Sequence, residues 1–275
     1  MSSLPTPPTA LPVTLRGAYA DARADLTLDQ DYAAYTATDQ AVWRRLFLRQ
    51  QALLPRYATD HYLAGLRLLG CQADAIPRIP ELSATLQRLC GWQVVGVPGL
   101  LPERDFFQFL AERRFPVTTW MRRPEELDYL VEPDFFHDCF GHLPLLTDPE
   151  FGNFVQAYGK RGAAAADSTE LQHLARLYWY TVEFGLMRTT AGLRVYGAGI
   201  ISSLGETLWA IDSSQAARLP FDAATVMATP YLIDEFQPRY FVIDSFEQLI
   251  VAVLGVPLES DADGVNSRDG VNTGK

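Results

Sequence analysis

Apolar positions recur along this chain at helical intervals over long stretches and at strand intervals over short ones. From Thr38, the residues Val42, Trp43, Leu46, Phe47, Leu53 and Leu54 return every three or four positions, the pattern of a helix with one buried face. Asp60 is placed to cap a second helix that Gly70 ends, and Glu81 to Cys90 predicts a third, stopped by Gly91. Trp92 to Leu101 reads as a short strand running into a Pro98-Gly99 turn, Pro102 to Leu110 as an aromatic-rich helix, and Pro116 to Met121 as a second strand. Asp148-Pro149 opens a helix expected to end by Gly159, with residues 161–167 as a connection. Asp167 or Ser168 caps the next helix, which runs through Glu183. Tyr196 to Glu206 reads as a glycine-rich strand and turn, Arg239 to Ile243 as a strand, and Ser245 to Gln248 as a capping box for a last helix.

One stretch is not explained by packing. Of four histidines, His137 and His142 lie five positions apart in Glu132-Pro-Asp-Phe-Phe-His-Asp-Cys-Phe-Gly-His-Leu-Pro. On an uninterrupted α-helix it is i and i+4 that line up, so an interval of five separates two imidazoles. Gly141 offers a way round. A glycine readily takes the left-handed conformation that stops a helix, which would leave His137 on the helix and His142 on the turn beyond. Imidazole suits zinc, copper, iron and nickel, so the pair asks for a metal without naming it. Glu183 is the third donor, a carboxylate on a face shared with Ala175, Trp179, Val182 and Leu186, where an unpaired charge would be very costly. Two histidines and one carboxylate form the facial triad of non-haem Fe(II) oxygenases, with positions left for oxygen and substrate. His173 lies about 80° round the helix from Glu183 at ~100° per residue and is not placed to join them. His61 reads as a surface or capping residue.

Composition narrows the setting. At 275 residues and 48% hydrophobic, the chain can bury one large core. A net charge of −10 disfavours nucleic acid and anionic membranes as partners. Cys71, Cys90 and Cys139 are odd in number and form no CxxC pattern, as expected of reduced thiols in a cytoplasmic protein. Cys139, inside the histidine motif, reads as a packing residue. The start of the chain has no signal-peptide pattern, and its longest apolar run, Leu249 to Leu258, is too short to span a bilayer.

Three strings carry a resemblance: Pro133-Asp-Phe-Phe-His137-Asp-Cys-Phe-Gly141-His142-Leu-Pro-Leu-Leu, Tyr178-Trp-Tyr-Thr-Val-Glu183-Phe-Gly, and Tyr196-Gly-Ala-Gly-Ile-Ile-Ser202-Ser203-Leu-Gly-Glu206. In this order and spacing they resemble the catalytic domain of the pterin-dependent aromatic amino acid hydroxylases, most of all bacterial phenylalanine 4-hydroxylases, from about Trp43 to about Phe246. The resemblance implies a mainly α fold with small β elements, a single catalytic domain over 17–259, between segments 1–16 and 260–275 expected to be unstructured. It implies Fe(II) held by His137, His142 and Glu183, with Tyr178 beside them. A tetrahydropterin would lie against backbone groups near Val97, Gly99 and Leu101, with its ring stacked on Phe106. Asp138 and Ala175 are further cofactor contacts. Arg122 would bind the substrate α-carboxylate in its fork, oriented by Asp134, with Leu130, Pro133, Trp179, Ser202 and Ser203 lining the amino acid pocket.

Two positions depart from the family's animal members: Leu130 stands where they often have Thr, and Asp138 where they have Glu, so its contact to the pterin is expected through water. Phenylalanine is the expected substrate, ahead of tryptophan or tyrosine, because the short single-domain members act on it. With no room for the animal enzymes' regulatory domain or tetramer helix, a monomer is expected. A zinc hydrolase would need Glu directly after the first His and a second His at i+4, and neither holds here. A metal-dependent binding module without catalysis would need no pterin wall and no carboxylate-binding arginine.

Overall fold

The structure, a computed structural model, describes residues 16–128, 130, 132–233 and 235–255. The tail expected over 260–275 lies outside the described residues, as does the N-terminal segment except for Arg16.

Helix α1 (Ala37–Tyr57) begins at Thr36, whose hydroxyl accepts the Asp39 N–H while the Asp39 carboxylate accepts the Thr36 N–H. It buries Val42, Trp43, Leu46, Phe47 and Leu54, as the spacing predicts. For α2 (Asp60–Leu69) the cap is Thr59 rather than Asp60: the Thr59 hydroxyl accepts the Tyr62 N–H, and Asp60 is the first helical residue. Both α2 and α3 (Ile79–Cys90) end at a left-handed glycine, Gly70 and Gly91. Strand β1 (Gln93–Val97), helix α4 (Glu103–Ala111) and strand β2 (Arg114–Thr118) make a β-α-β unit, with β1 and β2 parallel from Gln93 opposite Arg114 to Val97 opposite Thr118.

After a loop come α5 (Leu143–Leu146) and α6 (Pro149–Ala163). Helix α6 does not stop at Gly159. A Cβ there would lie 2.4 Å from the Ala111 backbone N, so this glycine serves the close approach of α4 rather than a helix end. Helix α7 (Ser168–Tyr178), capped by Asp167, precedes the hairpin of β3 (Leu186–Thr189) and β4 (Gly192–Val195). The glycine-rich stretch read as strand and turn is instead two helices, α8 (Ala198–Ile201) and α9 (Leu204–Asp212). The Ser203 hydroxyl accepts the Glu206 N–H and starts the second of them, a capping signal that outweighs the glycines. Strand β5 (Ala217–Pro220), helix α10 (Ala223–Ala228), strand β6 (Arg239–Ile243) and helix α11 (Glu247–Gly255) follow. The Ser245 capping box does not form; Gln248 Oε1 reaches back to the Asp244 N–H at 2.8 Å. The second sheet has the order β4-β3-β6-β5, with both pairs made by β6 parallel.

The core closes around the histidine motif. Phe135, Phe136 and Phe140 are fully buried, Phe136 and Phe140 stack at 4.7 Å, and Trp43 of α1 meets Phe136 edge-on at 5.5 Å. Such pairs add roughly 0.5–1.5 kcal/mol each beyond area burial. From α2, the Tyr62 hydroxyl donates to Phe140 O at 2.8 Å. The motif is thus gripped on its apolar side while its histidines face the other way. Among the described residues, no helix is long and apolar enough to cross a membrane.

Candidate metal centre

The interval of five between the histidines is resolved by a π-helix, His137–His142, which continues directly into α5. Gly141 is not left-handed, contrary to the expectation from its position. A π-turn bonds i to i+5, so residues five apart stack as residues four apart do in an α-helix. Gly141 is needed for a different reason: a Cβ there would meet Ala198 Cβ and O at 3.1 Å, so its absence lets α8 press against the motif. Asp134 starts the segment, accepting the His137 N–H at 3.0 Å. A second π-helix, Trp179–Glu183, follows α7 and carries the third donor. The single α-helical face drawn through Ala175, Trp179 and Glu183 is therefore interrupted after Tyr178.

The two π-turns face each other. His142 Nε2 lies 3.1 Å from His137 Nε2 and 3.1 Å from Glu183 Oε1, and His137 Nε2 lies 3.5 Å from Glu183 Oε2. Mutually perpendicular bonds of ~2.1 Å to one ion would separate their donors by ~3.0 Å, which these distances approach. Among the described residues this is the one group of three or more His, Cys, Asp or Glu side chains that could hold a metal. His61 instead pairs with Asp148, Nδ1 to Oδ2 at 2.6 Å.

Electrostatics suits a cation. Burial drives the His137 pKa down to about 4 despite the opposing charge of Glu183, so the ring is neutral at neutral pH with a lone pair to give. Burial also works against protonating His142, but the Glu183 carboxylate outweighs it and raises that pKa. Glu183 is itself held below its usual range because the two imidazoles overcome its burial. Ser202 fixes the tautomer: its hydroxyl donates to Ala198 O at 2.8 Å, so it accepts from His137 Nδ1 at 2.9 Å, and Nε2 is left unprotonated toward the cluster.

His142 sits between two rings, Phe115 of β2 at 5.0 Å and Tyr178 at 6.3 Å. Tyr178 in turn meets Phe106 of α4 edge-on at 5.3 Å, so Phe106 stands two rings from the metal site. The 98–102 turn that carries Gly99 and Leu101 leads into the same helix. The Asp138 carboxylate is buried and turned to β2, accepting the Thr118 N–H at 2.7 Å; burial pushes its pKa up to about 7. Ala175 lies on α7, its carbonyl accepting the Trp179 N–H.

Arg122 is buried and does not present its whole fork. Its Nε and Nη2 donate to Asp134 Oδ2 and Oδ1 at 2.9 and 2.8 Å, and Nη1 makes a long contact to Leu127 O at 3.4 Å, so the outer edge keeps one hydrogen on each terminal nitrogen for a ligand. Leu130 and Pro133, in the loop between them, are half-buried. The Ser203 hydroxyl accepts the Glu206 N–H at the start of α9 and keeps its own O–H to donate.

Some of the surroundings escaped the sequence reading. Trp179 stacks face to face on Tyr231 at 4.3 Å and donates its Nε1–H to Gln237 Oε1 at 3.0 Å. A half-buried indole N–H requires some acceptor, but no local pattern pointed 58 residues downstream. Gln237 also donates its backbone N–H to Glu206 Oε1 at 3.1 Å, and the Tyr240 hydroxyl donates to the same oxygen. Burial pushes Glu206 up to about 7 against both donors. The folded state therefore holds its proton more tightly than the unfolded chain, whose value is 4.5. Stability from this group is full below pH 4.5 and is lost as pH rises through about 7. Glu206→Gln, which keeps the acceptor, should remove that loss and be more stable than the parent at pH 8 by on the order of 2–3 kcal/mol. Thermal melts at pH 5 and pH 8 decide it; an equal pH dependence in both proteins would be the wrong outcome.

A fold of this kind, with two histidines and a carboxylate converging beside the rings of Phe115 and Tyr178, defines a mononuclear non-haem metal enzyme. The family model of the biopterin-dependent aromatic amino acid hydroxylases matches residues 27–253. The phenylalanine-4-hydroxylase of Ralstonia nicotianae is 56% identical over 230 residues, covering 84% of this chain and 74% of that protein. The Chromobacterium violaceum enzyme is 52% identical over 228 residues, 83% of this chain and 77% of that protein. A crystal structure of the C. violaceum enzyme with bound iron(III) and 7,8-dihydrobiopterin superposes with a TM-score of 0.85 at 51% identity, covering 88% of this chain and 89% of that one. Another, with iron and phenylalanine bound, gives 0.82 at 48% identity over 89% and 90%. This chain belongs to the biopterin-dependent aromatic amino acid hydroxylase family.

Proposed function

We propose that the chain is a phenylalanine 4-monooxygenase, converting L-phenylalanine to L-tyrosine with O2 and a tetrahydropterin. One oxygen atom enters the ring, the other leaves on the pterin, and the pterin supplies the two electrons. The observation that carries this reading is the meeting of His137, His142 and Glu183 within bonding reach of one ion, in a family whose relatives bind iron, biopterin and phenylalanine. Iron held there supplies a centre for activating oxygen once the reduced pterin is alongside.

The protein's part is placement. Ser202 keeps the His137 ring turned so that Nε2 serves the metal. Asp134 holds Arg122 by one edge, and the outer edge, with Nη1 also near Leu127 O, takes the substrate carboxylate, while Trp179 and Pro133 confine the ring. Phe106 and the Val97, Gly99 and Leu101 backbone form the pterin wall, completed by Asp138 and Ala175. Tyr178 lies between this wall and His142 and excludes water from the gap, its own proton retained because burial and the Glu183 charge raise its pKa. On this reading residues 17–259 form one catalytic domain that acts as a monomer on small molecules in the cytoplasm. A net charge of −10 argues against nucleic acid or anionic membrane as a partner.

The test is to incubate the iron-loaded protein with tetrahydropterin and phenylalanine, tryptophan or tyrosine in turn, following oxygen uptake and identifying products. Tyrosine formed from phenylalanine, with pterin-dependent oxygen uptake, is expected. Preferential hydroxylation of tryptophan or tyrosine would change the substrate, and zinc binding without oxygen uptake would end the reading.

A further inference from the structure

We propose that Tyr19, Arg16 and Glu132 form a clasp that sets the gap between the 98–101 turn and the 121–134 loop, and thereby positions the reduced pterin; this rests on the reading of that turn as the pterin wall. Three segments far apart in sequence meet at one carboxylate. The Tyr19 hydroxyl donates to Glu132 Oε1 at 2.7 Å and accepts the Leu100 N–H at 3.0 Å. The Arg16 backbone N–H donates to Glu132 Oε2 at 2.8 Å. The Arg16 guanidinium lies 4.6 Å over the Trp120 ring, pairs with Glu126 and donates to Met121 O at 3.2 Å.

The fit depends on glycine from both sides. A Cβ on Gly17 would stand 2.4 Å from Pro98 O, and one on Gly99 would stand 2.5 Å from the Tyr19 oxygen and 2.8 Å from Glu132 Oε1. Leu100 lies between Gly99 and Leu101, and Glu132 lies two residues before Asp134, the partner of Arg122. One linkage therefore joins the turn beside the pterin to the loop that orients the amino acid. Stability is a poor explanation for it. Glu132 is 4% exposed, and burying a carboxylate for a hydroxyl and an amide is costly beside an apolar packing residue, whereas Tyr19 is 39% exposed.

Tyr19→Phe removes the hydroxyl and little else. The apparent KM for tetrahydropterin should rise about three- to ten-fold, with iron content and the KM for phenylalanine unchanged. The Kd of 7,8-dihydrobiopterin for the full chain, measured by calorimetry without turnover, should rise by the same factor. Glu132→Gln keeps an oxygen for the Tyr19 hydroxyl and should fall between the parent and Glu132→Ala. Phe106→Ala, measured alongside, reports on the wall itself. If it weakens dihydrobiopterin binding while Tyr19→Phe changes neither KM nor Kd, the clasp is overturned and the wall stands. If Phe106→Ala leaves binding intact, both are overturned.

Discussion

Glu183→Gln should lose its metal and its turnover together, with iron affinity down by more than about a hundredfold, beyond what outer-sphere changes alone bring. The Glu183 carboxylate faces both imidazole Nε2 atoms, at 3.1 and 3.5 Å. It also counters the burial that would otherwise disfavour positive charge at this spot. An amide of the same shape keeps the packing and removes the charge, so the loss reads as electrostatics rather than misfolding. Iron content after dialysis, oxygen uptake at saturating Fe(II), and a thermal melt are the three measurements. Stoichiometric iron in the variant with normal turnover would remove Glu183 from the site.

Arg122→Ala should raise the KM for the amino acid about 10- to 100-fold while changing kcat much less, the signature of lost ground-state binding. It should also destabilise the fold, because the Asp134 carboxylate is fully buried and would lose its counter-charge, a loss of about 3–5 kcal/mol in comparable buried pairs. The two effects can be separated. Asp134 keeps the backbone N–H groups of Arg122 and His137 as donors. Arg122→Met combined with Asp134→Asn removes both charges and should restore part of the melting temperature, since the amide oxygen can accept only one of those two N–H groups, with the KM still high. A double variant with parental KM would show that the guanidinium does not meet the substrate carboxylate.

The Asp134 result shows how far a residue's type reveals its role. That Asp134 orients Arg122 was legible only through the family resemblance; by itself Arg122 would read as a surface residue, and its burial comes from the structure. How the fork divides was not: the edge given to Asp134 and the edge left over depend on where β2 and the π-helix place the two backbones. The Gly141 expectation failed for a similar reason. A glycine between two histidines fits either a helix end or a close contact, and local propensity does not distinguish them; the press of α8 at 3.1 Å does. Likewise the 196–206 glycines read as strand and turn until the Ser203 cap shows two helices.

What the sequence determined by itself was the set of chemical groups and most of the helices: two imidazoles and an acid in a setting where a bare charge is untenable, amphipathic faces, caps and left-handed stops. These are properties of neighbours within one or two turns. Only the tertiary structure decided that both ligand-bearing segments are wound as π-turns, that Trp179 leans on Tyr231 and Gln237, and that Tyr19 reaches Glu132 across 113 positions. Contacts of that kind exist because the chain closes large loops around a common core, and a local pattern carries no record of which distant residue will fill a given space.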